Sequence, residues 1–330
     1  MSIDWEKKLL ECRKNREVSF FDFFSIDNAT DADLEILFDL ARVFQKAKTT
    51  KLSLCKGCSM INAFFEHSTR TQASFDLAGK HLSMDTNNVG SASSVKKGES
   101  FLDTCETLDA YNVKVIIIRS SQAGVAEIMS KHIKASVVNA GDGWHEHPTQ
   151  AMLDALTMLN HVGEKNLKNK VITIVGDILH SRVFGSLVRI LNRLKAEIRV
   201  AAPETFFPKK VENFGVKKFY NIEDALKNAD FVYALRVQEE RGAKGFIPSL
   251  REYSKCFGIS KKRLDLAKKD VILMHPGPVI RDIDVHSALV SIDPRSHILN
   301  QVENGLAIRK AILWCLAKRF DNKEKSFVRL

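Results

Sequence analysis

The chain has 330 residues, enough for two domains with cores of their own, and its hydrophobic content of 45% and charged content of 27% are ordinary for a globular protein. The net charge of +10 lies partly in scattered lysine pairs without interleaved aromatic residues, which does not indicate a nucleic-acid-binding surface. The N-terminal segment is charged, and no apolar run is long enough to span a bilayer. We therefore expect a cytoplasmic protein that binds neither nucleic acid nor membrane.

The six cysteines are scattered over the chain, which is not the pattern of a disulfide framework. Reduced thiols are the simpler interpretation. Cys55-Lys-Gly-Cys58 is a single C-x-x-C pair, and two structural cysteines just before a strand explain it best.

The apolar pattern predicts helices and strands that alternate along most of the chain. In order, the predicted elements are a helix from Thr30 to about Lys48, a strand at Met60–Phe65, a helix opening at Ser68, a long polar loop at Asp85–Gly98, a helix at Glu99–Tyr111, strands at Val113–Ile118 and Ala135–Asn139, a long helix from about Gln150, a strand at Val171–Val175, a helix from Arg182 through Leu194, strands at Glu197–Ala201, Phe231–Leu235 and Val271–Met274, and a terminal helix at Leu306–Phe320. This alternation predicts an α/β fold with parallel sheets covered on both faces by helices.

The segment Ser68-Thr-Arg-Thr71 lies at the predicted start of a helix, directly after a buried strand. Free N–H groups and the positive end of the helix dipole favour an anion there. Together with Arg70 and the three hydroxyls, they make a socket of phosphate size, which we call the phosphate socket. An ordinary capped helix with a solvated arginine is the alternative that the turn chemistry leaves open. The long polar loop is likewise either a mobile surface loop or a lid whose Ser93 and Lys97 reach an anion.

Polar residues follow most of the predicted strands. Ligands of open α/β sheets bind beyond the carboxyl ends of the strands, and arginine binds carboxylate or phosphate in a bidentate way. Four arginines at such ends predict a cleft that holds more than one of these groups. The residues concerned are Arg70, Arg119, Arg182 and Arg236, with His147, Gln150, Gln238 and His275-Pro-Gly-Pro278 at further strand ends.

Several other chemistries are not indicated by the sequence. It has no G-x-G-x-x-G after a strand, no P-loop and no G-x-S-x-G elbow, which argues against a dinucleotide, P-loop chemistry and a serine nucleophile. His145 and His147 are too close and lack a third ligand at zinc-type spacing, so we expect no metal and no cofactor. Arginines without a nucleophile suit a transfer between two bound anions, catalysed by orientation and charge stabilisation.

These motifs resemble those of the aspartate/ornithine carbamoyltransferase family, in the same order over about residues 15 to 320. Ser68-Thr-Arg-Thr71 is similar to the carbamoyl-phosphate signature of that family. The loop that contains Ser93 and Lys97 favours its aspartate enzymes, and so does Pro276, where the ornithine enzymes usually have a cysteine. Ile280 stands where the family commonly has a polar residue. The other similar motifs are His147-Pro-Thr-Gln150, Arg236-Val-Gln-Glu-Glu-Arg241 and His275-Pro-Gly-Pro278.

The resemblance implies two domains, each a mainly parallel sheet with helices on both faces, and a C-terminal helix that packs back on the first domain. The carbamoyl-phosphate-binding domain is expected at residues 1–150, the aspartate-binding domain at 151–304 and the returning helix at 305–330. The implied reaction transfers a carbamoyl group from carbamoyl phosphate to L-aspartate, the committed step of de novo pyrimidine biosynthesis. A homotrimer with shared active sites is implied as well, possibly joined by regulatory chains or a dihydroorotase.

The resemblance also assigns roles to matching positions. The phosphate is expected at Ser68, Thr69, Arg70 and Thr71, the carbamoyl oxygen at Thr71, Arg119 and His147, the carbamoyl nitrogen at Gln150 and the carbonyls of Pro276 and Gly277, and the aspartate carboxylates at Arg182, Arg236 and Gln238, with Ser93 and Lys97 entering from the neighbouring subunit. A carbamoyltransferase for another amino acid, such as ornithine, and a non-catalytic scaffold homologue are the alternatives.

Overall fold

The computed structural model describes residues 3–48, 50–90, 100–238 and 245–319. The chain divides into two compact units: unit 1 comprises Met1–Thr149 and Glu303–Leu330, and unit 2 comprises Gln150–Val302. Each unit contains one parallel β-sheet with helices, so the predicted α/β fold class is confirmed. In the described parts of the chain, no helix is both long and apolar enough to cross a membrane.

Unit 1 contains a four-stranded sheet in the order β2-β1-β3-β4, with all neighbouring strands parallel. Because the strands are parallel, the residues that follow β1, β3 and β4 lie at one edge of the sheet. The elements of this part of the chain are α1 (Trp5–Arg13), α2 (Asp31–Ala47), β1 (Ser59–Phe64), α3 (Thr69–His81), β2 (Asp85–Gly90), α4 (Phe101–Asp109), β3 (Val115–Ser120), α5 (Val125–Ser130) and β4 (Ser136–Asp142), followed by α6 (Pro148–Val162), whose first two residues belong to unit 1.

Unit 2 contains a five-stranded parallel sheet in the order β7-β6-β5-β8-β9. The carboxyl ends of the adjacent strands β5, β8 and β9 form the edge of this sheet where the sequence predicts ligand-binding residues. The elements are β5 (Val171–Val175), α7 (Arg182–Arg193), β6 (Glu197–Ala201), β7 (Lys217–Phe219), α8 (Ile222–Leu226), β8 (Phe231–Ala234), α9 (Leu250–Phe257), α10 (Lys261–Leu264), β9 (Ile272–Met274), α11 (Ser287–Ser291) and α12 (Ile298–Ala317), which supplies its residues from Glu303 onward to unit 1.

The core of unit 1 follows the two-residue period of its strands. Ile116 and Ile118 of β3 point to the face of the sheet that α4 and α5 cover, where Leu108 and Met129 pack against them. The predicted start of α2 is also confirmed, because Thr30 is its N-cap residue and the Thr30 hydroxyl accepts a hydrogen bond from the third residue of the helix in a reciprocal capping box.

Several predicted boundaries are wrong. Asp85–Gly90, predicted as part of a loop, is strand β2, which pairs along its whole length with β1. The polar side chains of an edge strand carry no apolar period, so only the backbone pairing with β1 reveals it. Arg119 lies inside β3 instead of after it, and the terminal helix begins at Ile298 instead of Leu306. Neither α1 nor the short edge strand β7 was predicted.

Candidate active site

The phosphate socket lies at the start of α3, as predicted, with Ser68 as the N-cap residue. Among the described residues, the Ser68 hydroxyl accepts no capping hydrogen bond, which the alternative of an ordinary capped helix would lead one to expect. The first turn contains no acidic residue, Thr69 and Arg70 are exposed, and Thr71 is buried. A helix start without a side-chain cap leaves its N–H groups to a ligand, and the dipole favours an anion.

Arg119 lies beside the end of β1, where its backbone pairs with Phe64. Its buried guanidinium donates through Nη1 to the carbonyl of Ala140 at 2.9 Å and through Nη2 to Glu66 Oε1 at 3.2 Å. Glu66 lies two residues before Ser68, so this ion pair connects β3 with the segment that leads into the phosphate socket. Two anchors in different directions restrict the guanidinium, which is what a group that polarises a carbonyl oxygen requires.

The turn that leads to His147 is organised by the buried carboxylate of Asp142. It accepts hydrogen bonds from Gly124 N at 2.7 Å, Asn139 Nδ2 at 2.9 Å and Glu146 N at 3.0 Å, and it contacts His145 Nδ1 at 3.0 Å. Burial opposes its ionisation, but these partners hold the pKa of Asp142 below its usual value. His147 is buried directly before the first residue of α6, so the turn sets where its ring lies.

Glu146, next to His147, is also buried, and it accepts hydrogen bonds from the Ser25 hydroxyl at 2.5 Å and from Ile26 N at 3.3 Å. His145 and Glu146 therefore have structural partners within unit 1. Across the residues that the structure describes, no group of three or more His, Cys, Asp or Glu side chains is placed to hold a metal ion.

In unit 2, Gln150 begins a buried hydrogen-bond network. Its Nε2 donates to Asp154 Oδ1 at 3.1 Å, and the same oxygen accepts Gln301 Nε2 at 2.7 Å. Gln301 in turn accepts the N–H of His275 on its Oε1 at 2.9 Å. The network therefore joins α6, α12 and the end of β9.

The His275-Pro-Gly-Pro278 turn is held by its own histidine. His275 Nδ1 accepts the N–H of Gly277 at 2.8 Å, so its Nε2 carries the proton and donates to Asp284 Oδ2 at 3.3 Å. Asp284 Oδ2 also accepts the N–H of Ile280 at 2.9 Å. Ile280 therefore stabilises the turn through its backbone N–H, a contact that does not depend on the identity of its side chain. The peptide bond between Gly277 and Pro278 is cis.

The predicted aspartate-binding residues lie at the ends of the adjacent strands β5 and β8. Arg236 Nη2 donates to Gln238 Oε1 at 3.1 Å, and Gln238 N donates to Asp177 Oδ2 at 3.1 Å. Arg182, buried, is the first residue of α7. Asp177 also accepts the N–H of His180 at 3.1 Å and contacts its Nδ1 at 2.8 Å. One fully buried carboxylate therefore connects the turn before Arg182 with the segment that carries Gln238, and burial raises the pKa of Asp177 above its usual value.

Comparison with known proteins identifies the family of the chain. Residues 22–160 match the model of the carbamoyl-phosphate-binding domain of aspartate/ornithine carbamoyltransferases, and residues 168–316 match the model of the Asp/Orn-binding domain. The aspartate carbamoyltransferase catalytic subunit of Natranaerobius thermophilus is 47% identical over 277 residues, which are 83% of this chain and 88% of that protein. The chain belongs to the aspartate/ornithine carbamoyltransferase family.

Two solved structures of the family extend the comparison. Aspartate transcarbamoylase from Trypanosoma cruzi, in complex with N-(phosphonacetyl)-L-aspartic acid, is similar with a TM-score of 0.80 and 31% identity, over 89% of this chain and 95% of that one. Ornithine carbamoyltransferase from Thermus thermophilus also has a TM-score of 0.80, over 91% of this chain and 99% of that one. At 24% identity it shows a shared fold alone.

The residues that the strand-end rule selected lie near the carboxyl ends of strands within each unit. In unit 1 the phosphate socket follows β1, Arg119 is the last residue but one of β3, and His147 follows β4. In unit 2 Arg182, Arg236 and His275 follow β5, β8 and β9. Ser93, Lys97 and Arg241 lie outside the described residues.

Five acidic or amide residues that contact the predicted site residues were missed by the sequence reasoning. Only Asp154 carried a signal, because it lies four residues after Gln150 on a predicted helix and hence on the same face. Glu66, Asp177 and Gln301 meet their partners through contacts between distant segments, and Asp284 meets His275 and Ile280 within one irregular turn that no periodic pattern reveals. The five are Glu66, Asp154, Asp177, Asp284 and Gln301.

A separate cleft of about 560 Å³ lies elsewhere in unit 2, between the segments around α8, α9 and α10. Lys255, Lys262 and Arg263 are among its lining residues, and none of the predicted site residues lines it. Arg263 is already bound to Glu223 and to the carbonyl oxygens of Lys255 and Gly258. This cleft is therefore not part of the candidate active site.

Proposed function

We propose that this chain transfers the carbamoyl group of carbamoyl phosphate to the amino group of L-aspartate, giving N-carbamoyl-L-aspartate and phosphate. The observation that carries this proposal is the pair of strand ends in unit 2. Arg182 and the Arg236–Gln238 segment follow adjacent strands and are connected through Asp177. Two guanidinium groups suit the two carboxylates of aspartate, whereas ornithine has only one carboxylate. The aspartate-enzyme relative at 47% identity supports the same choice.

The phosphate end of the reaction uses residues of unit 1. The helix start, the hydroxyls of the phosphate socket and Arg70 hold the phosphate and stabilise the charge that it gains on leaving. Thr71, Arg119 and His147 polarise the carbamoyl oxygen, on which negative charge develops during the attack. The anchored guanidinium of Arg119 supports this role, since a donor that needs no reorientation stabilises the transition state at little cost.

The acceptor end uses residues of unit 2. Gln150 and the carbonyls of Pro276 and Gly277 accept hydrogen bonds from the carbamoyl nitrogen, and Arg182, Arg236 and Gln238 hold aspartate. The neutral aspartate amine attacks the carbamoyl carbon, the new C–N bond forms, and the bond from carbon to the phosphate oxygen breaks. The proton that the amine loses leaves with phosphate. Orientation of two bound anions supplies much of the rate, and neither metal nor cofactor is required.

The same proposal covers the organisation of the enzyme. Residues 1–150 bind carbamoyl phosphate, residues 151–304 bind aspartate, and α12 from Glu303 onward belongs to the carbamoyl-phosphate-binding domain. The enzyme is a cytoplasmic homotrimer, in which Ser93 and Lys97 of each subunit enter the active site of a neighbour. The reaction is the committed step of pyrimidine biosynthesis. The matches of residues 22–160 and 168–316 to two domain models of the family support the division into two binding domains.

The test is an assay of the purified chain together with its mass in solution. With carbamoyl phosphate and L-aspartate, we expect equal amounts of N-carbamoyl-L-aspartate and phosphate. L-Ornithine in place of aspartate is expected to give no citrulline, and light scattering is expected to give the mass of three chains. Citrulline formation would favour the ornithine alternative, and a folded trimer without either product would favour the scaffold alternative.

A further inference from the structure

The hydrogen bonds around Asp154 determine which atom of the Gln150 side-chain amide faces the candidate active site. Asp154 is fully buried in α6 and accepts hydrogen bonds from side chains of α6, β8 and α12. Gln150 Nε2 and Gln301 Nε2 donate to its Oδ1, and the Tyr233 hydroxyl donates to its Oδ2 at 2.6 Å. Burial and the neighbouring Asp154 carboxylate raise the pKa of Tyr233 well above its usual value, so the hydroxyl remains a donor.

An ionised carboxylate only accepts hydrogen bonds, whereas a glutamine amide offers one accepting atom and one donating atom. Asp154 therefore engages the Nε2 of Gln150 and leaves Oε1 for a ligand. If the amide were reversed, two oxygens would face each other in a buried place, at the cost of the lost hydrogen bond and of repulsion. The carboxylate thus decides that Gln150 presents an acceptor.

The same oxygen of Asp154 orients Gln301. Because Nε2 of Gln301 donates a hydrogen bond to Asp154, only Oε1 of Gln301 faces His275. This oxygen accepts the backbone N–H of His275, with 2.9 Å between N and Oε1. His275 begins the turn whose Pro276 and Gly277 carbonyls are the other proposed acceptors. The buried carboxylate of Asp154 therefore positions all of the proposed acceptors. It orients Gln150 directly, and it acts on the turn with the Pro276 and Gly277 carbonyls through Gln301 and the backbone N–H of His275.

We propose that Asp154 is a positioning residue that makes this enzyme specific for the amino group of its carbamoyl donor. The carbamoyl NH₂ is a donor of two hydrogen bonds, and only a set of acceptors recognises it. A substrate with a methyl group in place of the NH₂ group leaves those hydrogen-bond acceptors unpaired. A site built from buried polar groups therefore binds such a substrate much more weakly than carbamoyl phosphate. The inference rests on the proposed function and adds a residue that does not touch the substrate itself.

The experiment compares two ligands of the same shape in wild type and in Asp154→Leu. Carbamoyl phosphate carries NH₂ where acetyl phosphate carries CH₃. The KM for carbamoyl phosphate at saturating aspartate and the Ki for acetyl phosphate as a competitive inhibitor are measured with the purified full-length chain. In the variant both glutamine amides lose the atom that orients them, so we expect carbamoyl phosphate to weaken on the order of 10- to 100-fold. Acetyl phosphate, which cannot use the acceptors, is expected to bind as before or more tightly.

Thr157→Val is the matched control. Thr157 is buried one turn further along α6, and its hydroxyl donates to the carbonyl of Leu153 at 2.7 Å. This variant also removes a buried hydrogen bond from the helix but leaves the Asp154 network in place. We expect it to change the melting temperature without changing the ratio of the two ligand constants.

If the ratio of the carbamoyl phosphate KM to the acetyl phosphate Ki is the same in Asp154→Leu as in wild type, the inference is overturned. If Asp154→Leu does not fold, the same ratio is measured in Gln301→Leu, which frees the His275 turn while Gln150 keeps its partner. An unchanged ratio in Gln301→Leu overturns the inference as well. A wild-type chain that forms no carbamoyl aspartate contradicts the proposed function itself. An active wild type with an unmoved ratio contradicts only the role of Asp154.

Discussion

Replacing Gly176 by alanine is expected to disturb aspartate binding through the backbone alone. Gly176 directly follows β5 and has a φ of +129°, a conformation that favours glycine. A Cβ atom there would lie 2.4 Å from the carbonyl oxygen of Leu235 and 3.0 Å from its Cβ. Leu235 directly precedes Arg236, and Asp177 directly follows Gly176, so both sides of the contact carry parts of the proposed aspartate site.

The size of the effect follows from the overlap. Ordinary contacts of a Cβ atom begin at 3.4 Å, so the backbone near Gly176 and Leu235 must separate by the difference from 2.4 Å, about 1 Å. A misplacement of this size costs an enzyme about 100-fold in rate. In steady-state assays with varied aspartate, we therefore expect kcat/KM for aspartate to fall by about 100-fold in Gly176→Ala. The KM for carbamoyl phosphate should change far less, because the phosphate socket lies in unit 1.

Gly163→Ala separates the clash from the cost of the backbone conformation. Gly163 follows α6 with a φ of +71°, and a Cβ atom there meets nothing within 4 Å. In this variant alanine must adopt a left-handed backbone conformation, which costs about 1–2 kcal/mol, but its Cβ atom clashes with nothing. Its melting temperature should therefore drop while its kinetic constants stay near those of wild type. Wild-type kinetics in Gly176→Ala, or an equal loss in Gly163→Ala, would refute the reasoning from the strand-end contact.

Three further predictions test the site and the core. Arg70→Ala should lower kcat by about 100- to 1000-fold with a modest change in the aspartate KM, because it removes a donor to the departing phosphate; wild-type turnover would remove Arg70 from the site. Arg236→Ala should mainly raise the aspartate KM, by roughly 10- to 100-fold for a lost charged hydrogen bond, and an unchanged KM would exclude Arg236. Burial lowers the pKa of Lys310 from 10.5 to about 8, although its Nζ donates to the carbonyl of Lys48 at 2.7 Å. The unfolded chain therefore keeps this proton between pH 8 and 10.5, so the contribution of Lys310 to stability is lowest below pH 8 and rises through that window. In urea unfolding, the free energy of wild type relative to Lys310→Met should rise by about 2 kcal/mol from pH 7 to 10, and a difference independent of pH would contradict the buried charge.

Much of the fold could be predicted because buried strands leave a local apolar pattern. Val171–Val175 and Glu197–Ala201 were predicted with the bounds that the structure gives them. Their apolar residues are close in sequence and need no knowledge of distant partners. The position of the phosphate socket followed in the same way, because a strand, a short turn and a helix start at Ser68 are all local features. Parallel strands then placed the predicted polar residues at one edge of each sheet.

Contacts between distant segments were decided only by the tertiary structure. Strand β2 is polar, and its pairing with β1 depends on backbone groups that every sequence supplies. Gln301 meets Asp154 across 147 positions of the chain, and Gln238 meets Asp177 across 61. A carboxylate carries no mark in the sequence that names its distant donors, so the direction of an amide such as Gln301 is decided only when the chain has folded. The amino-acid sequence by itself determined which residues stand at the strand ends, and the folded chain determined which atoms they present, because hydrogen-bond partners are chosen in space.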